Sequence, residues 1–260
     1  MIASKVLERT LHAACDAAMR ETLPRFRRNG TVQNKDRQGF DPVTDADREA
    51  ERVIRAVLQE RHPGHGIVGE EHGTLDAETE YVWVLDPIDG TRAFVSGLPV
   101  WGTLIGLLEN GQAIAGAMDQ PFTGERFWTA GSGAFLRRNG EDESLATSAV
   151  QSLSDATLMT TDPRLFGDRD REGFAKLEHT ARMSRYGCDC YAYAMVAAGH
   201  IECVAEAGLN SYDIAALIPL VEQAGGTVTT WEGGSASAGG RVLASANPAI
   251  HDAALEALNG

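Results

Sequence analysis

Positive charge is what this sequence has least of. Its 260 residues carry 23 lysines and arginines against 37 aspartates and glutamates, for a formal net charge of −14, and no basic run offsets the deficit. Such a balance excludes nucleic acid and anionic membranes as partners. Cysteine is also scarce. Cys15, Cys188, Cys190 and Cys203 are too few to staple so long a chain, and Cys188 and Cys190 stand closer than a zinc-binding pair requires, so all four are expected as reduced thiols. No stretch approaches the roughly 18 uninterrupted apolar residues of a membrane span. The segment from Met1 to Arg9 has charges where a signal peptide needs an apolar run, so a cytoplasmic protein is expected. No internal repeat occurs, and the one low-complexity patch is Gly233–Gly240.

With 43% hydrophobic and 23% charged residues, the chain has a globular composition and enough length for one large domain or two packed layered units. Apolar spacing predicts helices from Ser4 to about Phe26, with His12 on its surface or boundary, and from about Asp45 to Arg61. His62 and His65 fall in a turn. Short strands at Ile67–Gly69 and Tyr81–Leu85 follow. A meander is then expected over Thr103–Leu108, Gln112–Met118, Arg126–Thr129 and Ala134–Arg137, with turns at Asn110-Gly111 and Asn139-Gly140. Glu141–Ser144 reads as a polar linker. Beyond it strands (Thr157–Thr161, Ile201–Glu206, Thr227–Trp231, Val242–Ala246) alternate with helices (Arg171–Arg182, Asp189–Ala198, Asp213–Ala224, Pro248–Leu258). The expected fold is α/β, in α+β layers: two stacked sheet units with helices between and outside, in an alternating αβαβα sandwich. The N-terminal α+β unit is expected over residues 1–143 and the C-terminal α/β unit over 144–260.

An acidic chain that binds an anion needs local positive charge, and divalent cations are a natural source. Carboxylates at the ends of elements therefore draw attention. Asp47 opens the second helix, Glu70 follows the Ile67 strand, Asp86 and Asp89 follow the Tyr81 strand, and Asp213 opens a later helix. Each has a bland explanation: Thr44-Asp45-Ala46-Asp47 fits a capping box, Asp213 an N-cap, and Glu70-Glu71 a solvated turn. The bland account is weakest for Asp86, because a carboxylate directly after buried apolar residues is desolvated at a cost of several kcal/mol unless something pairs with it. Pro87 fixes the chain direction there, and Gly90 lets backbone N–H groups approach a ligand.

Taken together, Gly69-Glu70-Glu71, Asp86-Pro87-Ile88-Asp89-Gly90-Thr91 and Tyr212-Asp213-Ile214-Ala215-Ala216 resemble the inositol monophosphatase superfamily of magnesium-dependent phosphatases. The upstream Asp41-Pro42-Val43-Thr44-Asp45-Ala46-Asp47 is similar to that family's early motif, and all four occur in family order. The resemblance implies that Glu70, Asp86, Asp89 and the backbone carbonyl of Ile88 hold the first of about two to three magnesium ions, with Asp213 completing a second site. It implies that Asp89, Gly90 and Thr91 receive the phosphate. Thr91, paired with Asp47, and Glu70 would activate a metal-bound water for in-line attack on phosphorus. The Asp-x-x-Asp spacing argues against a phosphoaspartate intermediate. A homodimer is expected on the resemblance alone.

The substrate is expected to be a small phosphorylated metabolite. Arg92-Ala93-Phe94, followed by Ser96-Gly97-Leu98-Pro99-Val100-Trp101-Gly102-Thr103, resembles the histidinol-phosphate phosphatase branch, as does Asp189, which falls where inositol phosphatases carry alanine. Histidinol phosphate bears an ammonium and an imidazole, and Asp189 and Glu206 would receive them. For Asp189 the alternative is a helix N-cap. Arg92 and Arg185 are candidate substrate contacts, with a plain surface role equally open. The alternatives are an inositol-1-phosphate or broad sugar-monophosphate phosphatase, and a non-catalytic relative that binds metal or ligand.

Overall fold

The computed structural model describes residues 2–28, 32–34, 42–76 and 79–260, so Asp41 of the early motif lies outside the described residues. Helix α1 (Ser4–Thr22) buries Leu7, Leu11, Ala14, Cys15 and Ala18 along one face. Strands β1 (Val32–Asn34) and β2 (Pro42–Thr44) pair antiparallel and lead into α2 (Asp45–Arg61). The capping box is present: Ala46 N donates to Thr44 Oγ1 at 3.1 Å while Thr44 N donates to Asp47 Oδ2 at 2.9 Å.

The first sheet comprises β3 (Gly66–Gly69), β4 (Gly73–Leu75), β5 (Tyr81–Asp89), β6 (Gly102–Glu109), β7 (Gln112–Gln120), β8 (Glu125–Thr129), β9 (Ala134–Arg138) and β10 (Glu141–Ser144), with α3 (Thr91–Ser96) between β5 and β6. Its order among the described residues is β10-β9-β8-β7-β6-β5-β3-β4, parallel only between β3 and β5. Both expected hairpin turns form, with φ of 52° and 80° at Asn110-Gly111 and 55° and 83° at Asn139-Gly140, the left-handed pair such turns require. The polar linker expected at Glu141–Ser144 is instead β10. The Asn139-Gly140 turn folds it back on β9, and its exposed residues, three of the four charged, suit a sheet edge.

The second sheet, ordered β12-β11-β13-β15-β14, is built from β11 (Thr157–Thr160), β12 (Met183–Tyr186), β13 (Cys203–Leu209), β14 (Thr227–Thr230) and β15 (Gly240–Ser245). Its helices are α4 (Asp168–Thr180), α5 (Asp189–Ala197), α6 (Ser211–Ile214), α7 (Leu217–Gln223) and α8 (Pro248–Asn259). Helices α5 and α7 fill the middle layer, where Tyr193, Val196, Leu220 and Val221 pack with Leu104, Met118 and Phe127 of the first sheet and Val204 and Val242 of the second. Helices α1 and α2 cover the outer face of the first sheet through Leu11, Ile54, Trp83 and Leu107. Helices α4 and α8 cover the second through Phe174, Leu177, Ile250 and Leu258. The αβαβα sandwich is as the sequence predicts.

One expected helix, Asp213–Ala224, is two. Pro219 lacks an N–H, and its ring would meet the carbonyl four residues back, at Ala215, so helix α6 ends there and α7 begins afresh. The Ala215-Ala216 joint lies directly on the first sheet. A Cβ added to Gly106 would stand 2.8 Å from the Ala215 carbonyl carbon and the Ala216 nitrogen, and Gly116 is equally covered by Ala216. His12 also departs from expectation. It is buried, edge-on to Trp128 at 4.9 Å, with Arg126 Nη1 3.3 Å from its Nδ1. The apolar spacing placed it on the rim of α1, and Trp128 and Arg126 from the sheet cover that rim.

Two outcomes are expected. Gly106→Ala should destabilise the protein by about 1–3 kcal/mol through overpacking against backbone, visible as a lower Tm, and should weaken magnesium binding by displacing α6; unchanged values for both would refute the close contact. Burial, with Arg137 and Arg126 nearby, lowers the His12 pKa to about 4. The unfolded chain then binds a proton near pH 6.5 that the folded chain refuses, so this contribution is complete above 6.5 and lost as pH falls toward 4. By pH 5 the loss should be about 1 kcal/mol in urea melts, screening included. His12→Gln should flatten that acid limb, whereas identical limbs in both proteins would mean His12 titrates normally.

Candidate active site

Strand β5 carries the first two carboxylates. Trp83, Val84 and Leu85 bury it in the sheet, and pairing continues through Asp89 where the sequence suggested an end at Leu85. The register changes on the way: Asp86 faces Leu104 and Asp89 faces Gly102, so β5 spends three steps where β6 spends two. Three residues apart on a regular strand, Asp86 and Asp89 would point to opposite faces; the extra residue of the bulge turns them to one side. Pro87 has no N–H to give to the ladder, and its carbonyl is held by Thr103 Oγ1 at 2.8 Å. Ile88 N donates to Asp86 Oδ1 at 3.1 Å. Gly90 follows with φ 81° and caps α3, a short helix the sequence reading did not include. Thr91 Oγ1 donates to the Ile88 carbonyl at 3.0 Å.

Glu70 sits on the turn after β3, a turn fixed by a residue that sequence reasoning missed. Glu51 is fully buried, accepts from Glu71 N at 2.7 Å and His72 N at 3.1 Å, and pairs with Arg55 Nε at 2.7 Å. The available signal was a carboxylate four residues after Asp47, on the α2 face that also buries Ala50, Ile54 and Leu58.

Asp213 arrives from the second half of the chain. It is the third residue of α6 and does not open that helix as expected; Asn210 is the cap, and its N–H donates to Asp213 Oδ2 at 2.6 Å. Oxygens of Asp86, Asp89 and Asp213 lie within 4.8 Å of one another. Burial first, then the charges of Glu70, Asp89 and Asp213, hold the Asp86 carboxyl well above the usual range. Asp89 is raised likewise by burial and by Asp189 and Asp213, and Asp213 is pushed up to about 6 by burial and Glu70. Hard oxygens crowded in this way suit a hard divalent cation, which would relieve the repulsion.

The opposite wall of the cleft belongs to α5 and β13. Cys190 N donates to Asp89 Oδ2 at 2.6 Å, joining the start of α5 to the end of β5. Asp189 stands against Gly90, where an added Cβ would come within 3.2 Å of its carboxyl group. It is not the N-cap of α5, a place taken by Cys188. Burial raises its pKa to about 6, opposed by the Arg92 charge and by the neighbouring Thr161 hydroxyl. Glu206 is buried and accepts from Thr160 Oγ1 at 3.1 Å, Thr161 N at 2.6 Å and Thr161 Oγ1 at 2.9 Å, yet burial still pushes it up to about 7. Asp89, Gly90, Thr91, Arg92, Asp189, Glu206 and Asp213 line one open cleft of about 230 Å³, with Thr161 and Tyr193, which the sequence reading had not singled out as site residues.

Two candidates stand apart. Arg185 is exposed on β12 and does not line this cleft. Asp47 makes no hydrogen bond to Thr91: its Oδ2 takes Thr44 N and Oγ1, and its buried Oδ1 has no partner among the described residues. Thr44, only three residues away in the capping box, is the nearer donor. Burial raises the Asp47 pKa to about 6.

Comparison with known proteins agrees with this geometry. The inositol monophosphatase family profile matches residues 4–260. The bifunctional phosphatase IMPL2, chloroplastic, of Arabidopsis thaliana is 41% identical over 95% of this chain and 73% of its own length. A histidinol-phosphatase of Mycobacterium tuberculosis is 39% identical over 84% of this chain and 85% of its own. Among solved structures, an inositol monophosphatase from Zymomonas mobilis superposes with a TM-score of 0.88 at 36% identity, covering both chains completely. The chain belongs to the inositol monophosphatase family, a family of phosphatases that is generally magnesium-dependent.

Proposed function

We propose that the chain is a magnesium-dependent phosphomonoesterase that hydrolyses L-histidinol phosphate to L-histidinol and phosphate. The observation that carries the substrate is the acidic wall of Asp189 and Glu206 facing Gly90 and Thr91 across the cleft. Both carboxyls are raised, to about 6 and about 7, chiefly by burial, so a cationic ligand would lower the cost of ionising them. Histidinol phosphate brings an ammonium and an imidazole to that wall. The similarity to a histidinol-phosphatase supports the same reading. Glu206 would serve a polyol equally well, and likeness to an inositol monophosphatase makes inositol 1-phosphate or a sugar monophosphate the second reading.

Asp86, Asp89 and Asp213, with Glu70 and the Ile88 carbonyl, are the residues that would hold about two to three magnesium ions. When bound, magnesium supplies positive charge to neutralise the phosphate and to acidify water. In this reading the Gly90 and Thr91 N–H groups hydrogen-bond the phosphate oxygens. Thr91 Oγ1 has committed its proton to the Ile88 carbonyl, so its lone pairs face a water and hold it in line with the ester bond. Glu70 takes the proton of that water as oxygen bonds to phosphorus. The ester P–O bond breaks, the alkoxide takes a proton from solvent water to leave as the alcohol, and Glu70 returns its proton to solvent. Asp47, whose Oδ1 is unpaired, would partner Thr91 in the reacting state by taking the Oγ1 proton in place of the Ile88 carbonyl, which that exchange would free as a ligand. Arg92 lines the same cleft, and its charge favours the ionised form of Asp189.

Chelation should abolish phosphate release, and magnesium added back should restore it and raise Tm; Asp86→Asn should lose both responses. Release undiminished by chelator would sink the metal-dependent reading. In magnesium, kcat/KM for histidinol phosphate should exceed that for inositol 1-phosphate at least about tenfold, and a preference for inositol phosphate would defeat the substrate assignment. Asp189→Asn should cost about 10²-fold on histidinol phosphate, the scale of a truncated buried charge pair. Its cost on phenyl phosphate should be several-fold smaller, and equal losses would make Asp189 a structural residue.

A further inference from the structure

One polar atom in the cleft has no counterpart among the described residues. Tyr193 is 3% exposed and lines the cleft, yet its hydroxyl has no hydrogen-bond partner among the described residues. Buried hydroxyls are nearly always paired, and an unpaired one at a ligand cleft implies a partner that arrives with the ligand. Tyr193 lies four residues after Asp189, and both line the cleft. The charges acting on it most strongly belong to Glu206, Asp89 and Asp213. Those carboxylates already take their donors elsewhere: Glu206 from Thr160 and Thr161, Asp89 from Cys190, and Asp213 from Asn210. The phenol is thus a donor set among acceptors that do not use it.

We propose that Tyr193 is a specificity-determining residue whose hydroxyl donates a hydrogen bond to a polar acceptor on the alcohol half of the phosphate ester. Asp189 and Glu206 read N–H donors on that half, and Tyr193 reads a lone pair beside them. An alcohol carrying both kinds of group matches the wall completely; the imidazole of histidinol, with one N–H and one bare nitrogen, is such a group. The choice of imidazole as the acceptor rests on the histidinol phosphate reading, whereas the role of Tyr193 as a donor to the alcohol half does not.

Tyr193→Phe removes the hydroxyl and keeps the ring. Steady-state kinetics with saturating magnesium should show KM for histidinol phosphate raised about tenfold, the effect of one lost hydrogen bond, with kcat changed less than about threefold. The loss of kcat/KM on phenyl phosphate, whose alcohol half has no hydrogen-bonding group, should be at least about fivefold smaller. Tm should hold or rise, because the variant no longer buries an unpaired polar group. Equal losses on both esters, or no change on either, overturn the proposal. So does a fall in Tm matching that of Tyr193→Leu, which would show that the hydroxyl supports the fold. If the wild type prefers inositol 1-phosphate, the substrate reading fails by itself. Tyr193 is then judged with that ester in place of histidinol phosphate: a selective rise in KM upholds the donor role and a uniform loss overturns it.

Discussion

The crowding of Asp86, Asp89 and Asp213 is the constraint on which the rest of the structure depends. Carboxylate oxygens within 4.8 Å of one another, largely out of water, repel in a medium that screens them poorly. Left to themselves, the chains bearing them would move apart. Each is therefore held by a backbone N–H: Asp86 by that of Ile88, Asp213 by that of Asn210 in its capping box, and Asp89 by that of Cys190 from the second half of the chain. Bonds of this kind fix the direction of each carboxylate. The result is a site complementary to a cation before any cation arrives, and a fold whose stability is reduced where its chemistry is concentrated.

Both sheets present their acids by the same device. In β5 the register slips between Asp86 and Asp89, and in β13 it slips between Glu206 and Leu209, each strand spending three steps against two on its neighbour. A bulge bends its strand and re-aims the side chains beside it, which is what two separate sheets need if their ends are to meet at one cleft. The join is made rigid by the absence of side chains. Gly106 and Gly116 let the Ala215-Ala216 backbone lie directly on β6 and β7, and Pro219 breaks the helix at that joint, so Asp213 is referenced to the first sheet although it belongs to the second half of the chain.

These devices differ in how far they can be read from sequence. Helix α2 and both Asn-Gly hairpins were legible because a short-range rule decides each of them: apolar spacing, a capping box, a left-handed turn pair. Within the acidic cluster, Asp86 and Asp89 were legible because they sit beside Pro87 and Gly90 at the end of a strand, whereas Asp213 joined them only through the family resemblance. What escaped was set by distant partners. Glu51 looks like any exposed helix glutamate until the turn after β3 folds onto it, and His12 becomes buried only when Trp128 and Arg126 close over α1. Strand β10 is too charged to be read as a strand, yet its backbone pairs because the preceding turn leaves it no other path. The Thr91–Asp47 pair, implied by resemblance, yields here to the closer Thr44.

The proposed division between reaction and selection would meet at Asp189. Its φ of 43° puts a residue with a Cβ in the left-handed region, where aspartate is tolerated and glycine is the unstrained choice. Glycine there would relieve the backbone and remove the carboxylate. The strain is held by what surrounds it: the next N–H is bonded to Asp89, the carboxyl group stands against Gly90, and the Arg92 charge attracts it. Strain kept at one position by several independent contacts is a mark of function. Because the same bond that holds α5 in place ends on a carboxylate of the acidic cluster, a shift at Asp189 must be felt at that cluster. In the proposed function, substrate choice and metal geometry are then mechanically one problem.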